Sequence, residues 1–151
     1  MDNKDKEILR ILQEDGRITN QDLAQRVNLS PSPCLRRVKQ LEQSGVITGY
    51  QANVNAEAYG LPITVFAQVK LDKHSESTVK AFEQHVKLSD KVIDCYIMSG
   101  EYDYLLKVLV ANLHDYEHFV RHELHTIGCI ASIDTRFAYG TVKRAAKYPR
   151  S

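Results

Sequence analysis

Tryptophan is missing altogether from this 151-residue chain, and cysteine is sparse. The three cysteines, Cys34, Cys95 and Cys129, stand far apart, odd in number and without a Cys-x-x-Cys spacing. That argues against a disulfide framework or a zinc knuckle and for reduced thiols in a cytoplasmic protein. No apolar run approaches the roughly 20 residues that cross a bilayer, so no membrane association is expected. The opening MDNKDKEILR is charged and lacks the apolar stretch of a secretory signal. An excess of one charge is missing too: 20 Lys/Arg against 19 Asp/Glu leave a formal net charge of +1. Any attraction for nucleic acid must therefore be local. There is no nucleophile–base pair at a telling spacing, no glycine loop that would cradle a phosphate and no HExxH-type metal motif. The chain is expected to be no enzyme and to carry no cofactor.

What is present is the composition of a soluble globular protein, 43% hydrophobic and 26% charged. Two of its four prolines sit together in SPSPCLRRVKQLEQSG, residues 30–45. Proline breaks a helix interior but costs little in the first turn, where its missing N–H has no intrahelical partner. Ser30 or Ser32 is then expected to cap the helix through its hydroxyl. At 100° per residue, Cys34, Leu35, Val38 and Leu41 fall on one side and Ser32, Pro33, Arg36, Arg37 and Gln40 on the other, with Lys39 at the border.

Two helical segments precede this one. Lys4 to Glu14 carries Ile8, Leu9, Ile11 and Leu12 and stops near Gly16. Thr19 then opens TNQDLAQRV, with Asp22 three residues on as a variant capping box and Leu23, Ala24 and Val27 as the apolar side. After Gly45, VITGYQANV reads as a short strand or hairpin. Three compact helices with a tight turn between the second and third describe a winged helix-turn-helix. Residues 1–54 hold 8 Lys/Arg and 7 Asp/Glu, whereas residues 30–45 hold 3 and 1, so positive charge gathers on the third helix. Double-stranded DNA is the expected partner. Arg36 and Arg37 suit guanine or phosphate, Gln40 suits adenine, Lys39 the backbone, and Ser32 with the Pro33 helix start a phosphate oxygen. The competing reading is a winged helix that contacts protein, which would need an exposed apolar patch.

From residue 61 the period changes. Ile63, Val65, Ala67 and Val69 alternate with Thr64, Gln68 and Lys70, marking a half-buried strand. A helix with Val79, Phe82 and Val86 inward, two strands around Gly100-Glu101-Tyr102, a helix over NLHDYEHFVRHELHTIG and a last strand IASIDTRFAYG complete the order. The chain is therefore α+β, with a ferredoxin-like βαββαβ sheet after the helical part and both helices on one face. The bare face, carrying Phe66, Tyr96 and Met98, is expected to be buried against another copy of the chain. The expected division is 1–46 helix-turn-helix, 47–60 connecting strand or hinge, 61–141 ferredoxin-like domain and 142–151 basic tail.

The turn SGEYDYLL is the second candidate site. Gly100 permits backbone that a Cβ resists, free N–H groups there suit a carboxylate, and Asp103 suits an ammonium. The alternative is a β-turn whose Asp and Tyr only hold the hairpin. Histidines 114, 118, 122 and 125 share one helix face, but opposite the apolar side, and are expected to be plain surface with no metal. Cys34 is expected to pack, not to act as a redox switch.

Together, DGRITNQDLAQRVNLSPSPCLRRVKQLEQSGVITGY and MSGEYDYLLKV resemble the Lrp/AsnC, or feast/famine, family of bacterial and archaeal regulators over essentially the whole chain. That resemblance implies a transcriptional regulator with an N-terminal winged helix-turn-helix and a ferredoxin-like sensing domain for amino acids. It implies a free amino acid as effector, held between dimers at a loop with Ser99, Gly100, Tyr102 and Asp103, and less directly Thr135. Small and apolar surroundings lean toward an apolar or sulfur-containing effector. Self-association into a dimer and a higher even-numbered oligomer, an octamer, completes the expectation.

Overall fold

The computed structural model describes residues 1–144 and 147–149 and divides into two compact units, Met1–Asn53 with Val142–Ser151, and Val54–Thr141.

The first unit is helical. Helix α1 (Asn3–Glu14) opens on a full capping box: Asp2 accepts from the Asp5 N–H, and Asp5 accepts from the Asp2 N–H. Helix α2 (Asn20–Arg26) is capped by Thr19, whose Oγ1 accepts from the Asp22 N–H, as the sequence suggested. Asn28, with φ 53°, makes the turn into α3 (Pro31–Gln43). Ser30 holds the N-cap position of α3, but its hydroxyl makes no capping bond. The sequence explains this departure. A capping side chain usually bonds the second or third helical N–H, and the third helical residue here is Pro33, which has none. Gly45, with φ 73°, ends α3, and the Ile47 N–H bonds back to the Leu41 carbonyl. Ile8, Leu23, Ala24, Val27, Cys34 and Leu41 form the core of this unit.

Residues 46–62 form no sheet ladder, so the strand or hairpin expected over VITGYQANV is not present in this chain. Among the described residues its apolar alternation has no pairing partner, and a strand exists only through its partner's hydrogen bonds. Val46, Tyr50 and Val54 are left exposed. Further on, Asn55 Oδ1 accepts from the Glu57 and Ala58 N–H groups and winds residues 55–61 into tight turns.

The second unit follows the expected order: β1 (Ile63–Leu71), α4 (Glu76–Leu88), β2 (Val92–Ile97), β3 (Tyr104–Val110), α5 (Leu113–Phe119) and β4 (Ile130–Ala138). The strands pair antiparallel in the order β2-β3-β1-β4. Val65, Ala67 and Val69 of β1 and Leu106, Val108 and Val110 of β3 pack with Phe82 and Val86 of α4 and Tyr116 and Phe119 of α5. The helices therefore cover one face. The second helix is shorter than its sequence pattern suggests: after Phe119 the coil widens into a π turn over Val120–Leu124 and closes as a 3₁₀ turn over His125–Ile127. Leu124 is fully buried in the core, while Leu113, the first residue of α5, is 61% exposed. On the bare face Phe66, Tyr96 and Met98 are exposed, beside the Lys107–Asp94 and Arg136–Asp134 ion pairs.

Candidate nucleic-acid interface and effector loop

Helix α3 buries Cys34 and Leu41, with Val38 partly buried between them. Taking about 100° per residue, the opposite face is centred on Ser32, Arg36, Lys39 and Gln43, with Leu35 and Gln40 on its two edges. These six residues border one shallow groove on the exposed side of the helix. Ser32, Arg36, Lys39 and Gln40 were expected there. Leu35 was expected in the core and is instead 42% exposed, because it lies about 90° around the helix from the centre of the buried stripe.

Arg37 stands elsewhere. It lies about 60° from the buried stripe, on the side toward α1. There its Nη1 donates to Asp2 Oδ2 and to Asp5 Oδ1, both at 2.8 Å. Hydrogen bonds to Asp5 and then Asp2 raise the Arg37 pKa, and the Asp5 N–H, followed by Arg37, holds the Asp2 carboxyl below its ordinary range. The same two carboxylates cap α1, so Arg37 ties the start of α1 to the middle of α3. Helical periodicity alone places Arg37 with the outward residues and gives no sign of Asp2 or Asp5 as its partners. Only the Asp-x-x-Asp capping pattern hinted that two carboxylates would converge. Pro33 is half-buried in the first turn and stiffens the start of the exposed stripe. Burial pushes the Cys34 thiol up, which keeps it protonated and inert.

The loop between β2 and β3 is closed by the Met98 N–H donating to the Asp103 carbonyl at 2.8 Å. Ser99, Gly100 and Glu101 are exposed, and Tyr102 is half-buried. Gly100 has φ +113°, in the region that disfavours any residue with a Cβ. Asp103 is the hub. Its N–H donates to the Val69 carbonyl, its Oδ2 accepts from the Leu71 N–H at 2.7 Å, and its Oδ1 accepts from His74 Nε2 at 2.8 Å. The Leu71 N–H first, and His74 second, hold the Asp103 carboxyl below its ordinary range. Both carboxylate oxygens are therefore engaged, Oδ2 by a backbone N–H and Oδ1 by His74, a residue that no pattern in the sequence connects to this loop.

Thr135 does not join that loop. It pairs with Ala67 on the helix-covered face, and its Oγ1 lies 2.7 Å from the Tyr116 hydroxyl. Among the described residues no group of three His, Cys, Asp or Glu is placed to hold a metal, although the His118 and His122 rings lie 4.4 Å apart. No helix among them is long and apolar enough to cross a membrane.

Residues 1–48 match the winged helix-turn-helix DNA-binding family, and residues 64–148 match the Lrp/AsnC ligand binding domain. The chain belongs to the Lrp/AsnC family. Its Lrp/AsnC relatives include a leucine-responsive regulatory protein from Rhizobium meliloti, 41% identical over 97% of this chain and 94% of the relative. Among solved Lrp/AsnC-like structures, a transcriptional regulator from Neisseria meningitidis in complex with L-Met superposes with a TM-score of 0.94 at 34% identity. It covers 99% of this chain and 96% of that one. An AsnC family transcriptional regulator from Agrobacterium tumefaciens gives 0.94 at 36% identity, covering 99% and 97%. This Lrp/AsnC chain is a DNA-binding transcriptional regulator modulated by a small effector, not an enzyme.

Proposed function

We propose that α3 reads double-stranded DNA through Ser32, Arg36, Lys39 and Gln40, and that Arg37 sets the aim of that helix by fixing it to α1. The exposed stripe carries this reading: Arg36 presents a planar fork suited to guanine, Gln40 an amide suited to adenine, and Ser32 and Lys39 donors for phosphate. Pro33 at the helix start limits how far the stripe can bend away from its target. One short helix binds weakly, so the working unit is at least a dimer that sets two such helices about 34 Å apart on a two-fold symmetric operator. The bare sheet face with Phe66, Tyr96 and Met98 supports pairing with a second copy, and a second, different contact between such dimers builds the even-numbered assembly, an octamer.

The effector is a free amino acid received at the Ser99–Asp103 loop. Its carboxylate takes the N–H groups around Gly100, and its ammonium takes the place of His74 at Asp103 Oδ1. Tyr102 closes the side of the site, and Thr135 supports the sheet behind it through Tyr116. The L-Met complex of the Neisseria relative supports an apolar, sulfur-tolerant choice. Such a protein works in the cytoplasm, where DNA and free amino acids meet. A thermal-shift screen of the common amino acids tests the effector reading: a ligand at 100 times its dissociation constant adds about 2.7 kcal/mol. A raised midpoint with methionine or another apolar amino acid is expected. Identical midpoints with all of them contradict it.

A further inference from the structure

Leu35 is the one large apolar side chain in the exposed stripe of α3, and a large part of its surface is left open. It is 42% exposed and stands outside the residues that pack the helical core. Its neighbours along the groove are Ser32 one turn before, Arg36 beside it and Lys39 one turn after. Those three offer only hydrogen bonds and charge. Purely polar readers distinguish bases by donors and acceptors, but thymine is also marked in the major groove by its C5-methyl, which only an apolar group rewards. We infer that Leu35 is a specificity-determining residue that packs on a thymine methyl beside the base contacted by Arg36. The inference rests on α3 being the DNA-reading helix. It adds a requirement that the polar residues cannot impose: each half-site must carry a thymine at one fixed step from the Arg36 contact.

The isobutyl group suits this role by position as well as by chemistry. Adjacent residues on a helix diverge by about 100°, so Leu35 and Arg36 approach neighbouring base pairs, not the same one. Leu35 also lies toward the N-terminal half of α3, the half that a recognition helix presents to base edges.

The test uses the full-length protein. Binding sites are first selected from random duplexes, and each thymine of the selected half-site is then replaced in turn by deoxyuridine. That change removes the methyl and keeps every hydrogen-bonding group. Affinity is read by fluorescence anisotropy for wild type, Leu35→Ala and Leu35→Met. One replacement per half-site is expected to weaken wild-type binding roughly fourfold, the factor for withdrawing one methyl from apolar contact. Leu35→Ala should bind thymine and deoxyuridine sites alike, whereas Leu35→Met should keep the discrimination. Equal wild-type affinity for all the deoxyuridine sites overturns the inference and leaves α3 as a polar reader. Discrimination that persists in Leu35→Ala also overturns it, by assigning the methyl to another side chain. If wild type selects no sequence at all, the DNA-reading role of α3 fails and takes this inference with it.

Discussion

Replacing Asp103 separates its two roles, as a brace for the loop and as a seat for the effector. In Asp103→Ala the Leu71 N–H loses its 2.7 Å acceptor, and Leu71 is only 2% exposed, so water cannot replace it. An unpaired buried donor costs about 1–3 kcal/mol. Asp103→Asn keeps a neutral acceptor for that N–H, and neutral hydrogen bonds are roughly half as strong as charge-assisted ones, so its loss should stay under about 1.5 kcal/mol. Amide exchange at Leu71 reads the effect locally: about 5- to 150-fold faster in Ala, for opening by the full cost, and clearly less in Asn. Acid adds a second reading. The folded-state pKa of Asp103 lies below the unfolded value of 3.8, so its contribution is present in full above that value. It is lost as pH falls through the lowered folded pKa, and wild-type Leu71 protection should fade in that acid window while the Asn variant shows no such step. The Asn variant should also lose its effector response, because an amide does not hold an ammonium as a carboxylate does. Unchanged Leu71 exchange in Asp103→Ala would refute the bracing role. A normal effector response in Asp103→Asn would refute the ammonium seat.

Further outcomes follow from the same geometry. Arg36→Ala should weaken specific DNA binding by about 1–3 kcal/mol in a mobility-shift titration and leave the melting midpoint unchanged. Arg37→Ala should act on both: releasing Asp2 and Asp5 lowers the melting midpoint, and loosening α3 from α1 weakens operator binding while leaving the order of base preference as it is. Phe82 is fully buried with its ring tilted against that of Tyr104, centroids 4.5 Å apart, so Phe82→Ala should destabilise the sheet domain by about 3–5 kcal/mol in chemical denaturation. Tyr96→Asp places a charge on the bare sheet face and should shift sedimentation toward monomer, with operator affinity falling because two linked helices are needed per site.

The order of elements, the inward residues of β1 and α4 and the Thr19 cap were all legible in the sequence, because each depends on residues a few positions apart. The departures come from contacts across long sequence distances. Arg37 meets Asp2 and Asp5 over more than thirty residues, and His74 meets Asp103 over 29. Helical periodicity gives an angle around α3 but not which neighbour occupies that angle, so it places Leu35 too far inward and Arg37 too far outward. The missing strand over VITGYQANV has a related cause: alternation shows that a segment could pair, and only a partner makes it a strand. The π turn after Phe119 and the 3₁₀ turn that follows it are changes of winding that a constant period does not show.

Salt-dependent binding to a selected operator duplex, compared between wild type and Arg36→Ala, tests the central claim most directly. If α3 reads DNA, wild-type affinity falls steeply and linearly in log–log form as salt rises, since phosphate contacts release counterions. Arg36→Ala should bind that operator more weakly at every salt concentration, yet match wild type on a duplex of scrambled sequence if the side chain reads a base. A wild type whose affinity ignores salt, or that binds operator and scrambled duplex alike, would contradict the account.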